Sequence, residues 1–337
     1  MFEKIYKNSI IEKPKFTLLI LTVLLLSFGY FAKNFQLDAS SDTLLLENDP
    51  DLKYLREVNT KYATKEFLVL TYTPEESLLA PGTIKNLTNF KNDLTNLNWV
   101  NNVTTILDVP LLKNNDDPLV ERIKNFKTLS SEDADKERGF NEIINSPIYK
   151  EFVISKDGKT SGILVYIKTD EKLSDLIRTK NTYSDKRDKG QLTSKDKKEY
   201  KKFLKEYDNY KKLYNQKNHQ NIIGIRTVIE KHKDTAKIHL GGIPMIADDM
   251  MTYIKNDIAV FGTGVFLFIV CTLWFIFRSL LWVFIPLLSC FFSVLIMVGL
   301  LGLTSWKVTV ISSNFIALML ILTMAMNIHM SVRYLQF

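Results

Sequence analysis

Segregation of apolar from charged residues predicts the fold class: an α-helical transmembrane bundle of four spans with one large extracytoplasmic α+β domain. Three observations carry it. The long apolar runs of the 337-residue chain lie at Phe16 to Ala32 and from Ile258 to the end, while most Lys, Asp, Glu and Asn lie between them. Within that polar middle, β-branched runs alternate with segments of helical periodicity. Lysines and arginines flank the apolar runs in a biased way. An overall make-up of 46% hydrophobic and 24% charged residues would suit a soluble chain if it were evenly spread.

A bilayer core about 30 Å thick needs roughly 20 apolar residues as a helix, because no backbone amide can go unpaired there. Phe16–Ala32 is a little short by that rule but is flanked by Lys13, Lys15 and Lys33. A basic start and an apolar centre also describe a cleaved signal peptide. The run is long for one and no small-x-small cleavage site follows, so a retained anchor is expected. Residues 258–277, 280–303 and 308–332 supply three more spans.

Orientation follows from cations in short loops. Lys4, Lys7, Lys13 and Lys15 precede the first span, Arg278 lies in the turn between the second and third, and Arg333 follows the fourth. A cytoplasmic N-terminus puts all of these inside and residues 34–257 outside, in the periplasm of an inner-membrane protein; Lys307 alone dissents. Residues 1–33 are then the cytoplasmic N-terminus and first span. Cys271 and Cys290 both fall in spans, so the outer domain needs no disulfide.

In the outer domain, EFLVLTYT at 66–73 reads as a strand. PGTIKNLTNFKNDLTNL at 81–97 reads as a helix, with Ile84, Leu87, Phe90, Leu94 and Leu97 on one face behind a first-turn proline. VNNVTTILDVP at 100–110 is the returning strand of a βαβ unit, its core at 103–107. A helix is expected near Glu132 to Ile144. FVISKDGKTSGILVYIK at 152–168 reads as a hairpin whose Asp157-Gly158 turn supplies positive φ. AKIHLGGIP at 236–244 is the last strand of a sheet expected to be mixed, and MIADDMMTYIKNDI then runs as a helix into the second span.

Residues 193–217 stand apart as a helical insert rich in lysine and tyrosine. Tyr200, Phe203, Tyr207, Tyr210 and Tyr214 recur at 3, 4, 3, 4 spacing, a heptad seam with lysines opposite. The seam fits a helix packed on its own domain; a docking surface for anionic lipid headgroups or a partner subunit is the alternative.

Signatures of catalysis are missing. The four histidines, His219, His232, His239 and His329, form no HExxH, and there is no GxSxG, no Walker-type GxxxxGK[ST] and no CxxC. His239 alternates with Ile238 and Leu240 and reads as structural. Asp248-Asp249 reads as acids favouring the positive end of a helix, and not as metal ligands. No enzyme, metal, cofactor or nucleic-acid function is expected; the pI near 9.0 belongs to loops and the insert.

The order of these elements resembles the first half of a resistance-nodulation-division (RND) transporter, specifically the hydrophobe/amphiphile exporters related to the MmpL proteins. Residues 47–72, 155–167 and 241–261 are similar to that family's opening of the outer domain, central hairpin, and G-x-P turn into the second span. The resemblance implies proton-driven movement of lipid-like or amphiphilic molecules, with residues 34–257 as a βαβ/ferredoxin-like porter domain. The implied partners are hydrophobic or amphiphilic small molecules or lipids, membrane lipids, and a missing second half, partner subunit or further copy. A sensing module similar in plan to sterol-sensing domains, which keeps the fold without transport, is the alternative.

MAMNIHMSVRY, residues 324–334, sets polar groups in the fourth span. The family commonly carries an aspartate about two turns before an arginine there, in a setting like D-S-I-H-x-x-x-R. Aligning Ile328, His329 and Arg333 on that pattern puts Met326 at the carboxylate position, and no Asp or Glu occurs from Ile258 to Phe337. Thr323, Asn327 and Ser331 recur at i, i+4 and i+8, with Ser312 expected on the same face. Such groups act either as interhelical hydrogen bonds or, with His329 and Arg333, as an altered proton relay.

Overall fold

The computed structural model describes residues 12–38, 50–62, 65–113, 126–309, 312 and 314–336. Lys4, Lys7, the start of the 47–72 stretch, and Val310 and Ile311 of the expected fourth span lie outside them. The chain divides into two compact units, residues 1–49 with 249–337, and residues 50–248.

In chain order the described elements begin with α1 (Pro14–Ala32), β1 (Leu37–Asp38), α2 (Pro50–Tyr62), β2 (Phe67–Pro74), α3 (Pro81–Thr95), β3 (Val100–Thr104) and α4 (Lys136–Asn145). They continue with β4 (Ser161–Ile167), α5 (Glu171–Asp188), α6 (Ser194–Lys231), β5 (Ala236–Gly241), α7 (Ile243–Phe277), α8 (Leu280–Thr304), β6 (Val308–Thr309) and α9 (Phe315–Gln336). Helices α1, α7, α8 and α9 are long and apolar enough to cross a membrane.

The unit of residues 50–248 is α+β. Alternation buries Leu68, Leu70 and Tyr72 of β2 and Ser161, Ile163, Val165 and Ile167 of β4 on one face of the sheet. Helix α3 covers that face with Leu87, Phe90 and Leu94, each fully buried at the spacing the sequence predicts, while Ile84 and Leu97 pack at the edge. Ile222 and Ile225 of α6 complete the core. Full burial of a Leu or Phe side chain contributes about 1.5–3 kcal/mol, which makes this cluster the main source of the unit's stability.

The sheet has the order β3-β4-β2-β5, and every neighbouring pair is antiparallel. It is therefore not mixed, as the sequence suggested. Strands β2 and β3 are parallel to each other but β4 is inserted between them, so β2-α3-β3 is a split βαβ unit and the whole is a ferredoxin-like βαββαβ arrangement. Local patterns reveal strands without revealing their neighbours, and only the ferredoxin-like resemblance implied this insertion.

Three further expectations are corrected. The hairpin at 152–168 has no first strand: Tyr149 O accepts from the amides of Phe152 and Val153, and Glu151 takes φ 67°, so this backbone is spent in a turn. The pairing around the expected Asp157-Gly158 turn is kept: Ile154 bridges antiparallel to Ser161, Gly162 N donates to Val153 O at 2.7 Å, Ser155 N donates to Thr160 O at 2.9 Å, and Gly158 has φ 69°. The returning strand is β3, earlier than 103–107, because Thr105 and Asp108 cap each other around a 3-10 turn at Ile106–Asp108. Helix α4 starts at Lys136, later than Glu132, where Asp135 caps the amide of Arg138.

In the other unit α1 packs along α8 at glycines. A Cβ on Gly299 would lie 2.2 Å from Phe28 O, and one on Gly302 would lie 2.1 Å from Phe31 O, so only glycine permits this approach. The expected 308–332 span begins late, at Phe315. Val308–Thr309 instead pairs in parallel with Leu37–Asp38, and the Ser312 hydroxyl accepts from Thr309 N at 2.9 Å. Ser312 thus belongs to a turn and not to the polar face of α9. Arg278 and Ser305 end α7 and α8 with φ 50° and 57°, the left-handed geometry of a helix terminus.

Candidate functional site

The polar residues of α9 separate into two faces. Helices α7, α8 and α9 share a small core of Ile269, Leu273, Val283, Cys290 and Met324. Asn327 borders it: its Nδ2 donates to Pro286 O at 3.4 Å and lies 3.7 Å from Cys290 Sγ, while Ser289 Oγ donates to its Oδ1 at 3.3 Å. Both ends of the amide are engaged on α8. Ser331 is buried and Thr323 half-buried along the same side. This side joins helices, each contact contributing about 1 kcal/mol or less in a membrane.

His329 and Arg333 lie elsewhere. With Met326, Met330 and Tyr334 they line a shallow, open concavity on the exposed face of α9. Met326, which the sequence resemblance aligns with a carboxylate position, is 64% exposed and so faces away from the α8 contact that Asn327 makes. The structure does not bring His329 to Asn327's partners. Tyr334 meets the Trp282 ring of α8 at 5.5 Å, placing aromatic groups near one end of these helices.

In the unit of residues 50–248, histidine and tyrosine find acidic partners that sequence reasoning missed. His232 is buried behind the end of α6, its Nε2 2.8 Å from Asp93 Oδ2 of α3, with Lys231 Nζ on the same oxygen at 2.7 Å. Hydrogen bonds from Lys231 and then His232 hold the Asp93 carboxyl below the usual carboxylate range. His219 Nδ1 lies 3.0 Å from both oxygens of Asp248. Asp248 therefore serves α6, and not the start of α7, whose first turn has no acid. His239 stands exposed on β5 opposite Thr71.

Tyr210 donates to Asp170 at 2.9 Å, raising the phenol's pKa, and Asp170 also caps α5 at Leu173 N. Tyr214 donates to Glu66 at 2.9 Å, and burial, ahead of the Glu66 charge, pushes its phenol well up. These partners lie 29 to 148 residues apart, and nothing local in the sequence pairs them. The arrangements fasten α6 to α3, α5 and α7 and to the residue before β2.

The family model described as MMPL family matches residues 168–329, just under half of the chain. The match runs from the end of β4 to His329 on α9, taking in the 241–261 stretch and leaving out those at 47–72 and 155–167. No curated protein matches the chain.

Proposed function

We propose that this chain, whose residues 168–329 match the MMPL family model, is a membrane transporter of the RND/MmpL kind that moves hydrophobic or amphiphilic molecules across or out of the inner membrane. The reading takes the ferredoxin-like unit as a periplasmic porter domain and α1, α7, α8 and α9 as membrane spans. It rests on one observation above all: the MMPL match spans α5, α6 and β5 together with α7, α8 and part of α9. Transport, not catalysis, is the activity proposed.

Proton coupling in this reading runs through His329 or needs a carboxylate from elsewhere. None occurs between Ile258 and Phe337, and Asn327 is occupied by α8. The partner is a second half, another subunit or another copy, and the exposed Met326 and His329 face of α9 is where we place it. The same two observations favour a second reading, a membrane-anchored lipid-binding or sensing module without transport.

Efflux of a fluorescent amphiphile from cells separates the readings. Transport predicts that deleting the gene raises retention and that Asn327→Ala leaves efflux intact. Retention unchanged by deletion, with amphiphile still bound by the purified chain, would favour the module. His329→Ala abolishing efflux at unchanged protein level would make His329 part of a relay. Labelling with an impermeant maleimide tests the orientation: Asp157→Cys should react in intact cells and Arg278→Cys should not.

A further inference from the structure

We propose that the outer face of α6 is a docking site for an anionic phospholipid surface. The aromatic seam of this helix is already satisfied inside its own unit. Tyr207 is buried with Leu173 and Leu176 of α5, and Phe203, Tyr210 and Tyr214 pack around them. Tyr183 of α5 stacks on Tyr200 at 5.0 Å, and Lys172 lies over the Tyr210 ring. Helices α5 and α6 thus form an antiparallel hairpin glued by aromatics, which leaves the opposite face of α6 to be explained.

At 100° per residue, Lys198, Lys201, Lys205 and Lys212 point within about 40° of the direction opposite the seam, with Lys197 and Lys202 flanking them. All six are exposed, and among the described residues none of the six forms an ion pair. The hairpin's ion pairs fall elsewhere, as in Lys195 with Glu199 and Arg187 with Asp188. The stripe is about 22 Å long at 1.5 Å per residue, and Asp208 is the one acid within its arc.

Charge is concentrated here to an unusual degree. Residues 171–217 hold fifteen Lys and Arg against eight Asp and Glu, which is the whole of the chain's formal excess of +7; the remainder is balanced. Every cation of the stripe is lysine, a compact and strongly hydrated point charge, and not the arginine that suits planar bidentate recognition. The arc holds no apolar side chain between Ser194 and Gln216. Protein interface cores favour aromatics and arginine and are depleted in lysine, and here the aromatics are turned inward. A row of hydrated cations without an anchor suits a fluid surface whose anions can gather beneath it, as polybasic segments do at anionic leaflets.

The test uses the full chain in phosphatidylcholine nanodiscs, mixed with separate vesicles of phosphatidylcholine with or without about 30 mol% phosphatidylglycerol. Co-flotation should require phosphatidylglycerol and vanish between about 0.05 and 0.5 M salt. Lys198, Lys201, Lys205 and Lys212 changed together to Gln should weaken it more than tenfold. The same four changed to Arg should retain it, as should a control with Lys65, Lys85, Lys136 and Lys159 changed to Gln.

A second arm puts phosphatidylglycerol in the disc itself and follows tryptic cleavage at the stripe. Protection there would show that the hairpin engages its own membrane, and flotation alone a facing one. The proposal is overturned if neither readout depends on phosphatidylglycerol, if the Gln variant binds as well as the parent, or if soluble polyglutamate is captured while anionic vesicles are not. That last result would assign the stripe to an acidic polypeptide.

Discussion

Replacing Gly302 by Ala should loosen α1 from α8. A Cβ at this position would sit 2.1 Å from Phe31 O and 3.0 Å from Phe31 C, both backbone atoms that cannot rotate away. Carbon atoms do not approach carbonyl oxygen closer than about 3 Å, so α1 must retreat by about 1 Å or slide. Overpacking of this kind typically costs about 1–3 kcal/mol. Alanine's better helix propensity returns at most about 1 kcal/mol, so the net effect is destabilising. Gly299, where the built Cβ meets Phe28 O at 2.2 Å, lies one turn away on the same ridge. One retreat relieves both clashes, and the double variant should cost less than the sum of the singles. Gly262 and Gly264 of α7 supply the control, since a Cβ on either meets nothing within 4 Å. Thermal unfolding in nanodiscs checks stability. Disulfide formation between Gly29→Cys and Leu295→Cys, where the built Gly29 Cβ lies 3.9 Å from Leu295 Cδ2, checks the approach. Gly302→Ala melting with Gly264→Ala, with crosslinking unchanged, would refute the close packing.

Three other outcomes are expected. Because its folded pKa is lowered, Asp93 contributes stability that is present above the ordinary carboxylate pKa of about 3.9 and is lost as pH falls through the lower folded value. Asp93→Asn should flatten that acid limb, read by circular dichroism melts, and cost about 1–2 kcal/mol near neutral pH by weakening the bonds from Lys231 and His232. Tyr214→Phe leaves the Glu66 carboxylate without its donor and should cost about 1–2 kcal/mol, seen as faster amide exchange where α6 meets β2. Gly158→Ala must hold φ 69° and meets Ile144 Cδ1 at 3.0 Å, so a loss of about 1–2 kcal/mol is expected; Gly158→Asn, which tolerates this region better, should cost less.

The long apolar helices are readable because hydrophobicity is a property of composition: a run of about twenty apolar residues declares itself without reference to anything distant. Predicted 280–303 and observed Leu280–Thr304 agree almost residue for residue, and the α3 face of Leu87, Phe90 and Leu94 follows from helical spacing alone. That no Asp or Glu occurs from Ile258 to Phe337 is equally plain, since it needs only an inspection of residue types. What the sequence could not supply was adjacency. That β4 lies between β2 and β3, that His232 reaches Asp93 across 139 residues, and that Asn327 turns to Pro286 while Met326 and His329 turn away all depend on which elements become neighbours. The same holds for Val308 and Ser312, apolar and small enough to continue a span, yet drawn into a bridge and turn by pairing with Leu37 and Asp38. Local propensity sets which conformations a segment can take, and tertiary contacts over long separations choose among them, because only a neighbour can satisfy the backbone and side-chain groups that burial removes from water.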